Sequence, residues 1–361
     1  MRVAERGGSE EGGLTATKQR KVVQRGRGRV TIRDVARSCG VSEATVSNAL
    51  ADKPYVSPET RELVLKAVAK LGYSQSPIAK ALRTGRTDTI GVVVSNLSNP
   101  FYAEVLLGIS QVLTPAGYQA IICNTESNLE LQTRHINNLL QRSVDGIILI
   151  SQPGAGDVAG IQSANVPLVS LWRVPKGGEA TFVGLDEDLG MHAALDHLWS
   201  LGHRSIALLR GVAGASTAEA REHAFREFLR KKKRTVPAGY IVHSPSSIEG
   251  GRAAAQRLLK LPQQPTAVIA TGDLVALGAT VALAEAGLDV PRYMSVVGYD
   301  DTFIAKLPQV DLTCVSPPRL ELGTQGAQAL LRKIADPKRS MERILLRPGF
   351  SLRSTTAAPR G

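Results

Sequence analysis

VTIRDVARSCGVSEATVSNAL, residues 30–50, reads as two short helices joined by a tight turn. Thr31 and Asp34 have capping-box spacing, in which each end of the first turn satisfies the other. Ile32, Val35 and Ala36 then recur on one face, as a half-buried helix requires. Gly40, in Cys39-Gly40-Val41, supplies the left-handed residue that ends the helix. Ser42 caps the next helix, whose Val46, Ala49 and Leu50 turn inward. Ser57-Pro58-Glu59 opens a third helix with a cap residue and proline at the first helical position. Leu63, Val64, Ala67, Val68 and Leu71 are expected on its inner face, and Gly72 ends it. Three short helices, the first two joined by a glycine turn, predict a helix-turn-helix unit over residues 30–75.

On the N-terminal side, residues 1–29 carry Lys18, Arg20, Lys21, Arg25, Arg27 and Arg29 among glycines, without apolar periodicity. Such a segment reads as a disordered basic arm, either a solubilising tail or a phosphate-contacting one. Residues 1–86 hold 17 Lys and Arg against 8 Asp and Glu, whereas the rest of the chain holds 27 against 24. A basic end on a nearly neutral body is the electrostatic footprint of a polyanion binder.

On the C-terminal side, residues 76–86 hold a helix opened by Ser76 and Pro77, with Ile78, Ala81 and Leu82 on one face and Thr84-Gly85-Arg86 as its breaker. A helix of this length does not persist alone. From Thr89 onward, apolar runs alternate with amphipathic ones: TIGVVVS at 89–95, GIILI at 146–150, Ala267–Thr271 and Ser295–Tyr299 as strands, Phe101–Ala116, Leu129–Arg142, Leu189–Leu201, Ala218–Lys231 and Leu274–Ala286 as helices. Uninterrupted apolar strands between helices predict parallel sheets covered on both faces. About 270 residues of this pattern favour two open α/β units over one. Ligands on such sheets sit at the carboxyl ends of the strands and in clefts between units.

Composition excludes several classes. The three cysteines, Cys39, Cys123 and Cys314, are odd in number and far apart, against a disulfide framework or a C-x-x-C site. No apolar run approaches a membrane span, and residues 1–29 lack the apolar core of a secretory signal, so the cytoplasm is expected. Gly211-Val212-Ala213-Gly214 is neither a P-loop nor a dinucleotide fingerprint. His192, Asp196 and His197 do not present both imidazoles on one helix face. No metal, cofactor or catalytic constellation is expected, and the chain is not read as an enzyme.

The motifs in order resemble the lactose-repressor (LacI/GalR) family of transcription regulators. The stretch 30–50 is similar to that family's DNA-binding signature. It is followed by VSPETR at 56–61, LGY at 71–73, ALRTG at 81–85, SNPFY at 98–102, VDGII at 144–148, LGHR at 201–204 and VGYDD at 297–301. The resemblance runs from about Val30 to Arg353. It implies an all-α helix-turn-helix headpiece plus hinge helix, then an α/β periplasmic-binding-protein-like core of two doubly wound parallel-sheet subdomains. The core is expected over residues 87–355, as 87–185 plus 316–340 and 186–315 plus 341–355.

The resemblance further implies a homodimer, favoured over a tetramer, that binds a palindromic operator in double-stranded DNA through the second helix in the major groove. The expected DNA-contacting set is Thr31, Glu43, Ala44, Thr45, Ser47, Asn48, Tyr55, Lys80, Leu82 and Arg83. Thr45 and Ser47 suit phosphates, and Glu43 either accepts from a cytosine amino group or repels phosphate. Asn48 stands where the family commonly has Arg, which moves the preferred base from guanine toward adenine. Leu82 matches the family's minor-groove wedge. A small effector, a sugar or related metabolite, is implied in the cleft between core subdomains. Its expected ligands are Ser95, Asn99, Phe101, Tyr102, Trp172, Arg173, Arg221, Asp273 and Asp300. Arginine, carboxylates and an aromatic wall suit sugar hydroxyls, although Asn99 and Asp273 also stand where helix caps stand. Leu171-Trp172-Arg173 departs from the common Asp-Arg, and Gly272 replaces the Asn common before Asp273. The expected function is a sequence-specific regulator, a repressor, controlled by that effector. The alternatives are control by a protein corepressor, or a sugar-binding protein, against which the headpiece argues.

Overall fold

Capping and glycine turns set the boundaries of the first elements. The computed structural model describes residues 30–74, 77–151, 155–174, 180–211 and 213–360. The expectation of a basic arm at 1–29 and the cap at Ser76 lie outside the described residues. The chain divides into two units that part at Lys80 and Ala81.

In the first unit, α1 (Ile32–Cys39), α2 (Glu43–Leu50) and α3 (Pro58–Leu71) pack as a three-helix cluster. The Asp34 carboxylate accepts the Thr31 amide at 2.9 Å and its hydroxyl at 2.7 Å. These bonds hold the Asp34 carboxyl below its ordinary range. Ser42 and Ser57 accept the amides of Thr45 and Thr60 at 3.0 and 3.2 Å. Gly40, at φ +65°, turns the chain between α1 and α2. Val35, Ala36, Val46, Ala49, Val56, Val64 and Ala67 form the core, with Leu50, Val68 and Leu71 partly buried against it. Leu63, expected to face inward, is instead 47% exposed. The inner stripe of α3 is Val64, Ala67, Val68 and Leu71, and Leu63 lies just outside it, so the apolar arc is narrower than the run of apolar letters suggests. The short helix α4 (Pro77–Thr84) follows.

The second unit alternates β1 (Thr89–Val94), α5 (Phe101–Leu113), β2 (Gln119–Asn124), α6 (Leu129–Gln141), β3 (Gly146–Leu149), α7 (Ala155–Ser163), β4 (Leu168–Leu171) and β5 (Thr181–Leu185). It continues through α8 (Glu187–Ser200), β6 (Ile206–Arg210), α9 (Ser216–Lys231), β7 (Ile241–His243), α10 (Ile248–Leu259), β8 (Ala267–Ala270), α11 (Asp273–Glu285) and β9 (Ser295–Tyr299). A 3₁₀ turn at Phe303–Lys306 precedes β10 (Thr313–Ser316), α12 (Arg319–Ala335), β11 (Arg343–Leu346) and β12 (Gly349–Ser351).

Among the described residues two six-stranded sheets form, ordered β11-β5-β4-β3-β1-β2 and β12-β10-β9-β8-β6-β7. Every pairing is parallel except that of β10 with β12. The chain therefore crosses from first sheet to second after β5, back after β10 and over again after β11. This corrects the expected division at the C-terminus: β11 lies inside 341–355, yet it pairs with β5 in the first sheet. The third crossing is at Arg347 and Pro348, because only four residues, 343–346, extend along the β5 edge before the chain turns away. Strand order reverses at β1 in the first sheet and at β6 in the second, which sets a crevice at the carboxyl end of each.

Candidate nucleic-acid interface and ligand cleft

Helix α2 carries half of the expected DNA-contacting residues. Ala44 is exposed, and Ser47 and Asn48 are half-buried beside it. Thr45 shares a hydroxyl–hydroxyl bond of 2.9 Å with Ser42, so part of its hydrogen-bonding capacity serves the cap. Glu43 accepts from the Arg33 guanidinium at 2.9 Å. Both side chains are exposed, so water and salt screen the pair, and it acts mainly as a competitor for any base contact of Glu43. Thr31 is exposed at the start of α1, and Tyr55 is 71% exposed in the turn before α3. In α4, Leu82 is 85% exposed and Lys80 half-buried, whereas the side chain of Arg83 lies outside the described residues.

In the second unit, a cavity of about 410 Å³ opens between the carboxyl ends of the two sheets. Ser95 and Asn96 follow β1, Thr125 follows β2, Ser151 follows β3, Trp172 and Arg173 follow β4, and Pro245–Ser247 follow β7. Ser95, Asn99, Tyr102, Trp172 and Arg173, all expected as ligands, line it. Asn99 also serves as a local cap, since its Oδ1 accepts the Phe101 amide at 3.0 Å. Thr125 and Ser151 after strands, Gln132 in the first turn of α6 and Ser247 at the cap of α10 line it too and were not anticipated; isolated polar residues carry no periodic signal. Ser151 is 1% exposed, and neither its hydroxyl nor the Arg173 Nε has a hydrogen-bond partner among the described residues. Buried unpaired polar atoms on a cavity wall are what a polar ligand completes.

The remaining expected ligands lie outside this lining. Phe101 is fully buried and stacks on Trp172 with ring centroids 4.2 Å apart. Trp172 sits at φ +67°, a conformation costly for a bulky residue, and its ring separates the cavity from a second one of about 430 Å³. Arg221 is buried and bonded bidentately to Glu187, Nε to Oε2 at 2.7 Å and one terminal nitrogen to Oε1 at 3.2 Å. Burial works against the Arg221 charge, but the adjacent Glu187 carboxylate outweighs it and raises the guanidinium above its ordinary range. Asp273 is used up structurally. Its Oδ2 accepts the amide and hydroxyl of Thr302, each at 2.7 Å, and its Oδ1 accepts the Cys314 thiol at 3.2 Å. Asp300 is buried at φ +112°, with one carboxylate oxygen unpartnered among the described residues. Burial, and then the neighbouring Asp273 carboxylate, raise the Asp300 carboxyl well above the ordinary range. Thus five expected ligands meet in one cavity, while Phe101, Arg221, Asp273 and Asp300 are buried and do not line it.

His192 and His197 bond to separate partners, the Asp188 carbonyl and the Thr356 hydroxyl. Among the described residues no cluster of His, Cys, Asp or Glu has the make-up of a metal site, and no helix is long and apolar enough to cross a membrane.

Comparison with known proteins bears on both regions. The description "Bacterial regulatory proteins, lacI family" matches residues 31–76, and "Periplasmic binding protein-like domain" matches residues 195–356. The ribose operon repressor of Escherichia coli (strain K12) is 32% identical over 322 residues, 88% of this chain and 97% of its own length. The lac repressor dimer bound to operator and the anti-inducer ONPF superposes with a TM-score of 0.82 at 29% identity, covering 91% of this chain and 99% of that one. A LacI family transcriptional regulator from Enterococcus faecium with bound ribose superposes at TM-score 0.68 and 30% identity, covering 75% of this chain and all of the other.

Proposed function

This chain belongs to the LacI family of bacterial regulatory proteins, and from that premise we propose how it chooses its DNA and its effector. It is a DNA-binding transcriptional repressor. It acts in the cytoplasm as a homodimer on a palindromic operator, with α2 of each protomer in the major groove. Asn48 reads an adenine there, through the amide pairing with N6 and N7. Leu82, apolar and 85% exposed, is the minor-groove wedge. An exposed leucine in so short a helix has no core of its own to fill.

The effector is a small polyhydroxylated molecule in the 410 Å³ cavity. The observation that carries this reading is the lining itself: hydroxyl and amide groups together with Glu126 and Arg173, which carry opposite charges, and the Trp172 and Tyr102 rings, with Ser151 and Arg173 each offering an unsatisfied polar atom. Uncharged hydroxyls satisfy such a wall, and rings cover the apolar face of a sugar. Ribose is the first probe to use, since two similar proteins carry ribose in their descriptions.

The test is a titration of labelled operator with full-length protein at fixed salt, with and without ribose and a panel of neutral monosaccharides. One sugar is expected to change operator affinity by about 5–150-fold, the usual range for coupled sites. Operator affinity indifferent to the whole panel would contradict the effector reading and leave the DNA reading intact.

A further inference from the structure

We infer that Glu187 is a specificity-determining residue: its carboxylate fills an anion socket built from Arg221, Tyr299 and Trp172 and so bars carboxylate and phosphate groups from the 430 Å³ cavity that meets the effector cavity at Trp172. The geometry is that of a bound ligand rather than of a surface ion pair. Oε2 accepts from Arg221 Nε at 2.7 Å and from the Tyr299 hydroxyl at 2.6 Å. Oε1 accepts from the second Arg221 nitrogen at 3.2 Å and from the Trp172 indole at 3.3 Å. Each oxygen thus has two donors, and the planar guanidinium meets the carboxylate in its preferred fork. The Arg221 guanidinium also lies 3.5 Å from the Tyr299 ring centroid. Its third nitrogen donates to the Thr271 carbonyl at 3.0 Å.

These donors come from three separate elements: the exit of β4, α9 and the end of β9. They converge on one point, which Glu187 reaches from the first turn of α8. The helix start favours its negative charge. A free carboxylate would find the same donors and the same charge, but the resident one is tethered and incurs no loss of translational freedom. An anionic ligand must therefore displace it, bringing two negative groups to one guanidinium. A neutral polyol leaves it in place. The 430 Å³ cavity, which Glu187 and Trp172 both line, adjoins the socket; Asp186, Asp188 and Glu219 on the same lining work against an entering anion, and Arg343 works for it, so tens of millimolar acetate is used.

This inference rests on the cleft being the effector site, but its test is independent of that reading. Thermal unfolding of the full-length protein is measured in tens of millimolar sodium acetate, with sodium chloride at matched ionic strength as the reference. Glu187→Ala is expected to show a saturable upward shift in Tm with acetate and none with chloride. The parent protein, and Glu187→Gln, whose amide keeps the socket filled, are expected to show no acetate shift. A folded Glu187→Ala protein indifferent to acetate would overturn the inference, and so would equal shifts in all three proteins. If Glu187→Ala does not accumulate in folded form, refolding yield in acetate against chloride decides the matter: a gain supports the socket, and equal yields overturn it. Ribose is run on the parent protein alongside. Acetate rescue without a ribose shift sustains the socket and removes the ribose reading, whereas a ribose shift without rescue does the reverse.

Discussion

Two opposing effects meet at Glu187. Removing a carboxylate and a guanidinium from water is expensive, and only close pairing with every lone pair satisfied recovers the cost. Here both oxygens are satisfied, so truncation leaves a buried, uncompensated Arg221 and is expected to cost about 3–5 kcal/mol in chemical unfolding. Very little of this was legible in the sequence, because Asp186-Glu187-Asp188 reads as an acidic helix start and only the fold brings Tyr299 and Arg221 to it. Asp300 and Arg221 were named as ligands from their motifs, yet both are buried and neither lines the cavity; Arg221 is held by Glu187, 34 residues away, which no local window contains. Asn48 is simpler. Asn48→Arg is expected to move preference at one operator position from adenine to guanine, with about 1–3 kcal/mol of discrimination, measured by competition between single-base operator variants. Unchanged preference would mean that Asn48 touches only backbone.

Among the elements, helix starts were the most legible, because Thr31, Ser42 and Ser57 declare them through short-range hydrogen bonds that the local sequence alone can make. Ser57→Ala is expected to lower headpiece stability by about 1 kcal/mol, seen as an earlier denaturant midpoint. The packing of α5 on α12 was not legible. Gly108 and Gly323 let the two backbones touch: a methyl group on Gly323 would sit 2.0 Å from the Val105 carbonyl oxygen, and one on Gly108 would sit 2.2 Å from that of Leu320. Residues about 215 apart in sequence set this contact, and no window of either helix contains it. Gly323→Ala is expected to cost about 1–3 kcal/mol through overpacking, against near neutrality at Gly160, where an added methyl meets nothing within 4 Å. Equal costs at the two sites would refute the close-approach account. Likewise β2 lies at the sheet edge and exposes Ile122, a position that its apolar letters alone do not reveal.

For the whole molecule, the alternation of strand and helix was enough to establish two parallel sheets, while the number of crossings between them was not, because β11 and β12 are short and their neighbours lie far away in sequence. The C-terminal segment is anchored after its last crossing by His203, whose Nε2 donates to the Ala357 carbonyl at 2.8 Å and whose Nδ1 lies 2.9 Å from the Thr266 hydroxyl. Burial lowers the His203 pKa below its ordinary 6.5. The unfolded chain therefore binds a proton near 6.5 that the folded chain refuses until lower pH, so this contribution to stability is complete above 6.5 and declines as pH falls below it. Unfolding midpoints across that window are expected to fall for the parent protein and to fall less for His203→Gln; parallel slopes would assign the pH dependence elsewhere. The proposed division of labour is between a helical headpiece that reads DNA, carried in the basic N-terminal segment 1–86, and a core that reads a small molecule. Its most direct test is capture of genomic DNA fragments at fixed salt by the full-length protein and by the chain lacking residues 1–86, each followed by sequencing. A shared palindrome, with adenine opposite Asn48, is expected to be enriched by the full-length protein and absent from the truncated one. The same palindrome recovered by the truncated chain would contradict it.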